Sequence, residues 1–359
     1  MTARENKSIS RKMSVTPMMD FPRAKIDRRV SVAPMLDWTD RHCRYFLRGF
    51  SANVLLYTEM ITAAAIVRGD RARLLAFDPE EHPIALQLGG SDPRELAHAA
   101  RAGADAGYDE INLNCGCPSE RVASGAFGAC LMLERERVAD CVTAMRMAVK
   151  VPVTVKLRIG VVTARAREIA EAVARFDEED FEALCRFVGG VRDAGCEAAI
   201  VHARKAVLGG LSPKDNREIP PLRYDVVQRL KSEFPELPLI VNGGFRDAAA
   251  VQEALGWCDG VMLGREAYHR PLVLAELQQQ LWDKSETMPT RAAIIERMER
   301  YAERELASGG RLAPIARHML GLYTGEPGAR EYRRILSEGA RAPDASAALL
   351  RQAMPTARG

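Results

Sequence analysis

The stretch PIALQLGGSDPRELAHAARAGADAGYDEINLN, residues 83–114, decides the fold. It opens on a short apolar run, PIALQLG at 83–89, that reads as a strand. DPRELAHAARAGADAGY follows with helical spacing, Asp92 placed to cap and Pro93 at the first helical position. A second run, DEINLN at 109–114, closes a strand–helix–strand unit.

The unit recurs. Runs at SVAPM (31–35), NVLLYTE (53–59), PVTVKLR (152–158), AAIVHAR (198–204), PLIVNGG (238–244) and DGVMLGR (259–265) bring the strands to eight. Helix-patterned segments lie between them, among them ERVADCVTAMRMAVK, FEALCRFVGGVRDAG, YDVVQRLKSEF and AAAVQEALG. Eight such units in sequence predict an α/β fold of the closed (β/α)8 TIM-barrel kind over an open doubly wound sheet. After REAYHRPLVLAELQQQLW the alternation stops and only helix-like segments remain. The expected division is a flexible basic leader at 1–28, a barrel at 29–284 and a small all-helical C-terminal domain at 285–359.

Composition sets outer limits. With 47% hydrophobic and 28% charged residues among 359, the chain reads as an ordinary soluble globular protein. No run approaches the roughly eighteen apolar residues of a membrane span, and the N-terminus is no signal peptide. A cytoplasmic protein with reduced thiols is expected. The net charge of +3 is too small to announce nucleic-acid binding. Residues 285–359 nevertheless hold twelve arginines, no lysine and nine acids, an excess equal to that of the whole chain. On composition alone this is a solvated helical surface.

The eight cysteines include no CxxC and no companion histidines at zinc spacing, so no metal site is expected. Two stand close together, Cys115 and Cys117 in INLNCGCPSERV at 111–122. A disulfide between them would need a tight, strained ring and an oxidising compartment. A nucleophile or a proton donor are the chemical readings left.

Functional residues of a TIM barrel gather at the C-terminal ends of its strands. Unusual residues fall there repeatedly: Met35 after the first strand, Gln87 in the third, Asn114 and Cys117 after the fourth, Lys156 in the fifth and His202 in the sixth. Asn242-Gly243-Gly244 follows the seventh and Gly264-Arg265 the eighth. Backbone amides at two such glycine loops can cradle a phosphate, and Arg265 would add a charge-assisted clamp. Lys156 would stabilise an anionic reduced ring, while Gln87 and His202 offer hydrogen bonds to its imide edge and pyrimidine oxygens. FMN uses the whole set. The competing reading is that these polar residues satisfy one another inside the barrel.

SVAPMLDWTDRHCR, LLYTEM, EEHPIALQLGGSDP, YDEINLNCGCPSERV, FGACLM, VPVTVKLRIG, HARKAVLGGLSPKDNREIPPL, VNGG, DGVMLGREAY and RHMLGLYTGEPGAREYRR together resemble the tRNA-dihydrouridine synthase family, and its A subfamily most. The resemblance runs from about residue 30 to 340 and rests on long, ordered motifs. It implies an FMN-containing barrel with a helical C-terminal domain. It also implies reduction of uridines to 5,6-dihydrouridine with NADPH, at positions 20 and 20a of the tRNA D-loop. Carried over, Pro34, Met35 and Leu36 would lie near the flavin ring, with Gln87, Lys156 and His202 along its edges. Asn242, Gly243, Gly244, Gly264 and Arg265 would hold the phosphate. Asn114, Lys214, Arg217, Arg330 and Arg333 would face tRNA. Cys117 would be the catalytic acid, giving C5 its proton after hydride reaches C6. Ordinary thiols, with a pKa of about 8.5, are mostly protonated near neutrality and suit that task.

Two departures stand out. Cys115 occupies a position where the family usually has valine; it reads as a small buried hydrophobe, with backup acid or oxidation partner as the alternatives. In an extended segment it would share a face with Cys117. VVTARAREIAEAVARFDEED, after the fifth strand, is longer than the family segment and suggests an extra helical piece near the barrel mouth. Two other functions are compatible with parts of the pattern: a flavin barrel acting on a free pyrimidine, and a non-catalytic tRNA-binding protein. No motif settles NADPH against NADH, and nothing in the sequence demands more than a monomer.

Overall fold

The computed structural model describes residues 26–119, 127–163, 168–285 and 287–355. The expected leader up to residue 25, and residues 164–167 of the long segment after the fifth strand, lie outside the described residues.

The described strands β1 (Val30–Val32), β2 (Leu55–Thr62), β3 (Ile84–Gly89), β4 (Glu110–Cys115), β5 (Val153–Arg158), β6 (Ala199–His202), β7 (Leu239–Asn242) and β8 (Gly260–Leu263) form a closed barrel. Each pairs in parallel with the next, and β8 returns to β1 in the register Val30↔Val261 and Val32↔Leu263. The (β/α)8 expectation is met. Its local causes are also those expected. Asp92 caps helix Pro93–Ala106 by accepting the Glu95 N–H at 2.9 Å, and Gly107, at φ +106°, ends it in the left-handed region that favours glycine. Asp40, Asp177 and Asp247 cap the helices that follow β1, β5 and β7 in the same way.

Side chains alternate across each strand. Ile111, Leu113 and Cys115 of β4 point outward into the layer between strands and helices, where the main apolar cluster lies. Glu110, Asn112 and Asn114 are the inward set. Part of the barrel interior is apolar, built from Ala33, Leu55, Ala85, Ala198, Ile200, Ile240 and Met262. The part facing β3, β4 and β5 is polar.

The segment after β5 forms a two-stranded ribbon, Val161–Val162 against Ala206–Val207, and a helix, Ile169–Ala174. Val162, Ile169, Val173 and Val207 share a small separate core. The extra helix was legible; the ribbon was not, because two-residue strands carry no periodic signal.

Beyond β8 the described chain is helical: Leu272–Leu281, Arg291–Ala307, Leu312–Met319, Ala329–Gly339 and Leu349–Gln352. Ile294, Met298, Ile315 and Leu336 belong to the same buried cluster as the barrel's outer layer. Ion pairs line the seam, with Arg297 to Glu80 at 2.5 Å, Arg304 to Asp78 at 2.9 Å and Arg41 to Glu305 at 2.5 Å. Among the described residues no helix is long and apolar enough to cross a membrane.

Candidate active site

A cavity of about 1480 Å³ opens at the C-terminal ends of the strands. The barrel topology brings distant strand-end residues to it: Pro34, Met35 and Leu36 from the turn after β1, Gln87, Asn114, Cys117, Lys156 and His202. Asn242, Gly243, Gly244, Gly264 and Arg265 complete the expected set, and Arg217 stands at the rim.

Cys117 sits on a turn held from below. The Asn114 side-chain oxygen accepts the backbone N–H groups of Gly116 at 3.1 Å and Cys117 at 3.0 Å. Its Nδ2 donates to Gln87 Oε1 at 2.8 Å, and Gln87 Nε2 donates onward to Asn112 at 2.8 Å. The Cys117 carbonyl accepts the Ala129 N–H at 2.9 Å. The thiol is half-buried and lies 3.5 Å from Ser119 Oγ. Cys115 does not share its face. Cys115 is the last outward residue of β4, fully buried, and burial pushes its thiol well above the usual range. The chain leaves extended geometry right after it, so the two-residue period stops applying and Cys117 turns into the cavity.

The wall beside this turn, on β5 and β6, is cationic. Lys156 is half-buried; burial, reinforced by the Arg158 guanidinium, brings its ammonium down to about 7, while proximity to Cys117 works the other way. Arg158 is 3% exposed and is itself lowered by burial to about 9. Among the described residues it donates only to carbonyls: Gly116 at 3.2 Å, Lys205 at 3.2 Å and Asn216 at 2.9 Å. Burial and the charges of Arg158, Lys156, Arg204 and Arg217 hold His202 neutral, well below its ordinary value. Glu218 at the rim pairs with Arg265 at 2.9 Å. Such a concentration of positive charge in a largely shielded space favours an anionic occupant.

The glycine loops have the shape of a cradle. Gly243 and Gly244 have φ of +114° and +83°. A Cβ on Gly243 would lie 2.8 Å from the His202 ring, and one on Gly244 only 2.5 Å from Leu222. At Gly264 an added Cβ would meet nothing nearer than Met35 Sδ at 3.9 Å, so the backbone is bare toward the cavity. Bare amides beside Arg265, with Lys156 and His202 further in, fit a phosphorylated, partly anionic cofactor such as FMN.

Not every sequence candidate reaches this cavity. Lys214 is exposed at the start of the short 3₁₀ turn Asp215–Arg217 and does not line it. Arg330 and Arg333 are exposed on helix Ala329–Gly339, also outside the lining. Asn114 lies deeper than a surface contact, 7% exposed. Arg158 went unnoticed in the sequence, although it follows Lys156 by two residues and so must share its inward face. Arg204, which donates to the carbonyls of Glu218 and Pro220, was also missed.

Residues 31–358 match the model of the family described as Dihydrouridine synthase (Dus). Among curated proteins, the chain is 52% identical over 346 residues to a tRNA-dihydrouridine(20/20a) synthase of Escherichia coli K12, covering 96% of this chain and 91% of that one. It is 52% identical over 344 residues to the protein of that name from Salmonella typhi, covering 96% and 94%. For the one from Pseudomonas syringae pv. tomato the figures are 50% over 329 residues, covering 92% and 89%. A cavity lined by a thiol and, beside it, buried cations, at the mouth of a closed barrel, thus sits in a chain that belongs to the dihydrouridine synthase family.

Proposed function

We propose that this protein is a tRNA-dihydrouridine synthase that reduces the C5=C6 bond of uridines 20 and 20a in the D-loop of tRNA, with FMN as resident cofactor and NADPH as reductant. The observation that carries this reading is that the Cys117 thiol lines the same cavity as Lys156, Arg158 and His202.

Reduction of the double bond needs a hydride and a proton. Bound FMN would supply the hydride chemistry. Asn242, Gly243, Gly244, Gly264 and Arg265 would hold its phosphate end, and Pro34, Met35, Leu36, Gln87, Lys156 and His202 would surround its ring. Cys117 would deliver the proton to C5, and the Asn114 contacts to its turn aim it. A nucleoside inside folded tRNA must be extruded to reach this depth. Arg217 at the rim, with Lys214, Arg330 and Arg333 on the outer surface, would grip phosphates around it. Residues 285–359 would act as the tRNA-binding helical part. A cytoplasmic monomer is the working unit in this reading.

The test is incubation with NADPH and unmodified tRNA, followed by position-by-position mapping of dihydrouridine. Product at 20 and 20a supports the reading. Reduction of free uracil or uridine without RNA would instead favour a pyrimidine oxidoreductase, and purified protein lacking flavin would sink the cofactor assignment.

A further inference from the structure

An unbroken column of buried hydrogen bonds climbs the polar part of the barrel interior and ends on the Cys117 turn. At its foot the Glu110 carboxylate accepts Arg28 Nε at 2.8 Å and Nη2 at 2.6 Å, and the Tyr57 hydroxyl at 2.5 Å. Thr154 Oγ1 donates to the same carboxylate at 2.6 Å and accepts Asn112 Nδ2 at 2.9 Å. Asn112 accepts from Gln87, Gln87 from Asn114, and Asn114 from the N–H groups of Gly116 and Cys117.

The column has a forced direction. A carboxylate only accepts and a backbone N–H only donates, so with these two ends set each amide between them has a single orientation. Strand register builds it: Gln87 lies opposite Asn112 on β3 and β4, and Asn112 opposite Thr154 on β4 and β5. Glu110, Asn112 and Thr154 are fully buried and none of them lines the cavity. TIM-barrel interiors are ordinarily filled by branched aliphatic side chains. Each buried polar group is costly unless completely satisfied. A column that is both complete and directional specifies an orientation at its upper end, which aliphatic packing cannot do.

We infer that this column is a positioning device: Thr154 and Asn112, acting through Gln87 and Asn114, set the orientation of the Cys117 turn for proton delivery. The inference rests on the proposed function for its catalytic consequence, but the turn's orientation is testable without it. Thr154→Val keeps the shape and removes the hydroxyl, Thr154→Ala removes it with less bulk, and Thr154→Ser retains it. The two hydroxyl-free variants guard against one failing to fold, as judged by flavin content and melting temperature.

The first readout is iodoacetamide labelling of Cys117 in the full-length protein, followed on its own peptide by mass spectrometry. The labelling rate should rise severalfold in whichever hydroxyl-free variant folds and return to the wild-type value in Thr154→Ser. The second is single-turnover reduction of tRNA uridine by pre-reduced enzyme, where a loss of about ten- to a hundredfold in rate is expected, with the KM for tRNA unchanged. Unchanged labelling in a folded variant, or a Ser variant as altered as the Val one, would overturn the inference. If wild-type protein forms no dihydrouridine the proposed function fails, while the labelling result still decides the column.

Discussion

A guanidinium nitrogen of Arg158 lies 2.9 Å from the carbonyl oxygen of Asn216. The same side chain reaches Gly116 in the Cys117 turn, so one buried cation ties the thiol-bearing turn to the segment that carries Arg217. Asn216 is itself fully buried, accepting the Val207 N–H at 2.8 Å and donating to the Val207 carbonyl at 3.1 Å. Arg158→Met would leave three carbonyls short of a donor. Hydrogen bonds to charged groups contribute about 1.5–3 kcal/mol each, but removing the buried cation also removes its desolvation cost, so a net stability loss of about 3 kcal/mol is expected in urea unfolding. The midpoint should fall more than for Arg204→Met.

Cys117→Ala should lower dihydrouridine formation by about 10²–10⁴-fold while the purified protein stays yellow. Cys115→Val, at a buried outward position, should alter rate by less than about twofold, the scale of a volume-conserving core change. The measurement is initial rate on unmodified tRNA beside the flavin absorbance spectrum. Activity that survives loss of Cys117 and disappears with Cys115 would reverse the assignment.

Lys156 binds its proton less tightly in the folded chain than in the unfolded one, its value falling to about 7. Between there and its ordinary value the unfolded state holds more protons, so folding is increasingly favoured as pH rises. His202, also lowered, adds the same sign below its ordinary value: stability is lost as the solution becomes acidic. On going from pH 7 to pH 9, the melting temperature of flavin-free protein should therefore shift less favourably in Lys156→Met than in the unsubstituted protein, by differential scanning calorimetry.

Arg330 and Arg333 are exposed on one face of a helix, and among the described residues neither forms an ion pair, whereas Arg334 between them and the next turn is paired to Glu331 at 2.6 Å and Glu338 at 2.9 Å. Replacing Arg330 and Arg333 together by alanine should weaken tRNA binding and reduce the slope of log K against log salt by about one to two units. Replacing Arg334 should do less. Flavin reduction by NADPH, followed by stopped flow, should not change.

Asp40 joins the barrel to the C-terminal helices. It caps helix Arg41–Arg48 through the Cys43 N–H at 3.0 Å and accepts Arg317 at 2.5 Å and His318 at 3.0 Å. Burial alone would raise its carboxyl, but His318, the Cys43 N–H and Arg317 together hold it well below the usual range. Asp40→Ala removes a cap and one of the partners of buried His318, which keeps Tyr268 and Arg317, for a loss of about 2 kcal/mol in chemical denaturation.

The barrel was legible from the chain because its causes are local and repeated: apolar runs of strand length, helix starts marked by Asp92 and Pro93, a stop at Gly107. Strand-end position likewise picked out Met35, Gln87, Lys156, His202 and the two glycine loops, since a closed parallel barrel sends all C-terminal ends to one mouth. The motifs carried the resemblance that the family match bears out. What the chain left open depends on which side chains meet across strands. Arg28, Tyr57, Glu110 and Thr154 are scattered over more than a hundred residues, and only barrel closure and register stack them beneath Asn114. The separate faces of Cys115 and Cys117 were decided the same way. A two-residue period holds only while the strand lasts, and where β4 ends is set by hydrogen bonds that Asn114 makes in the folded barrel.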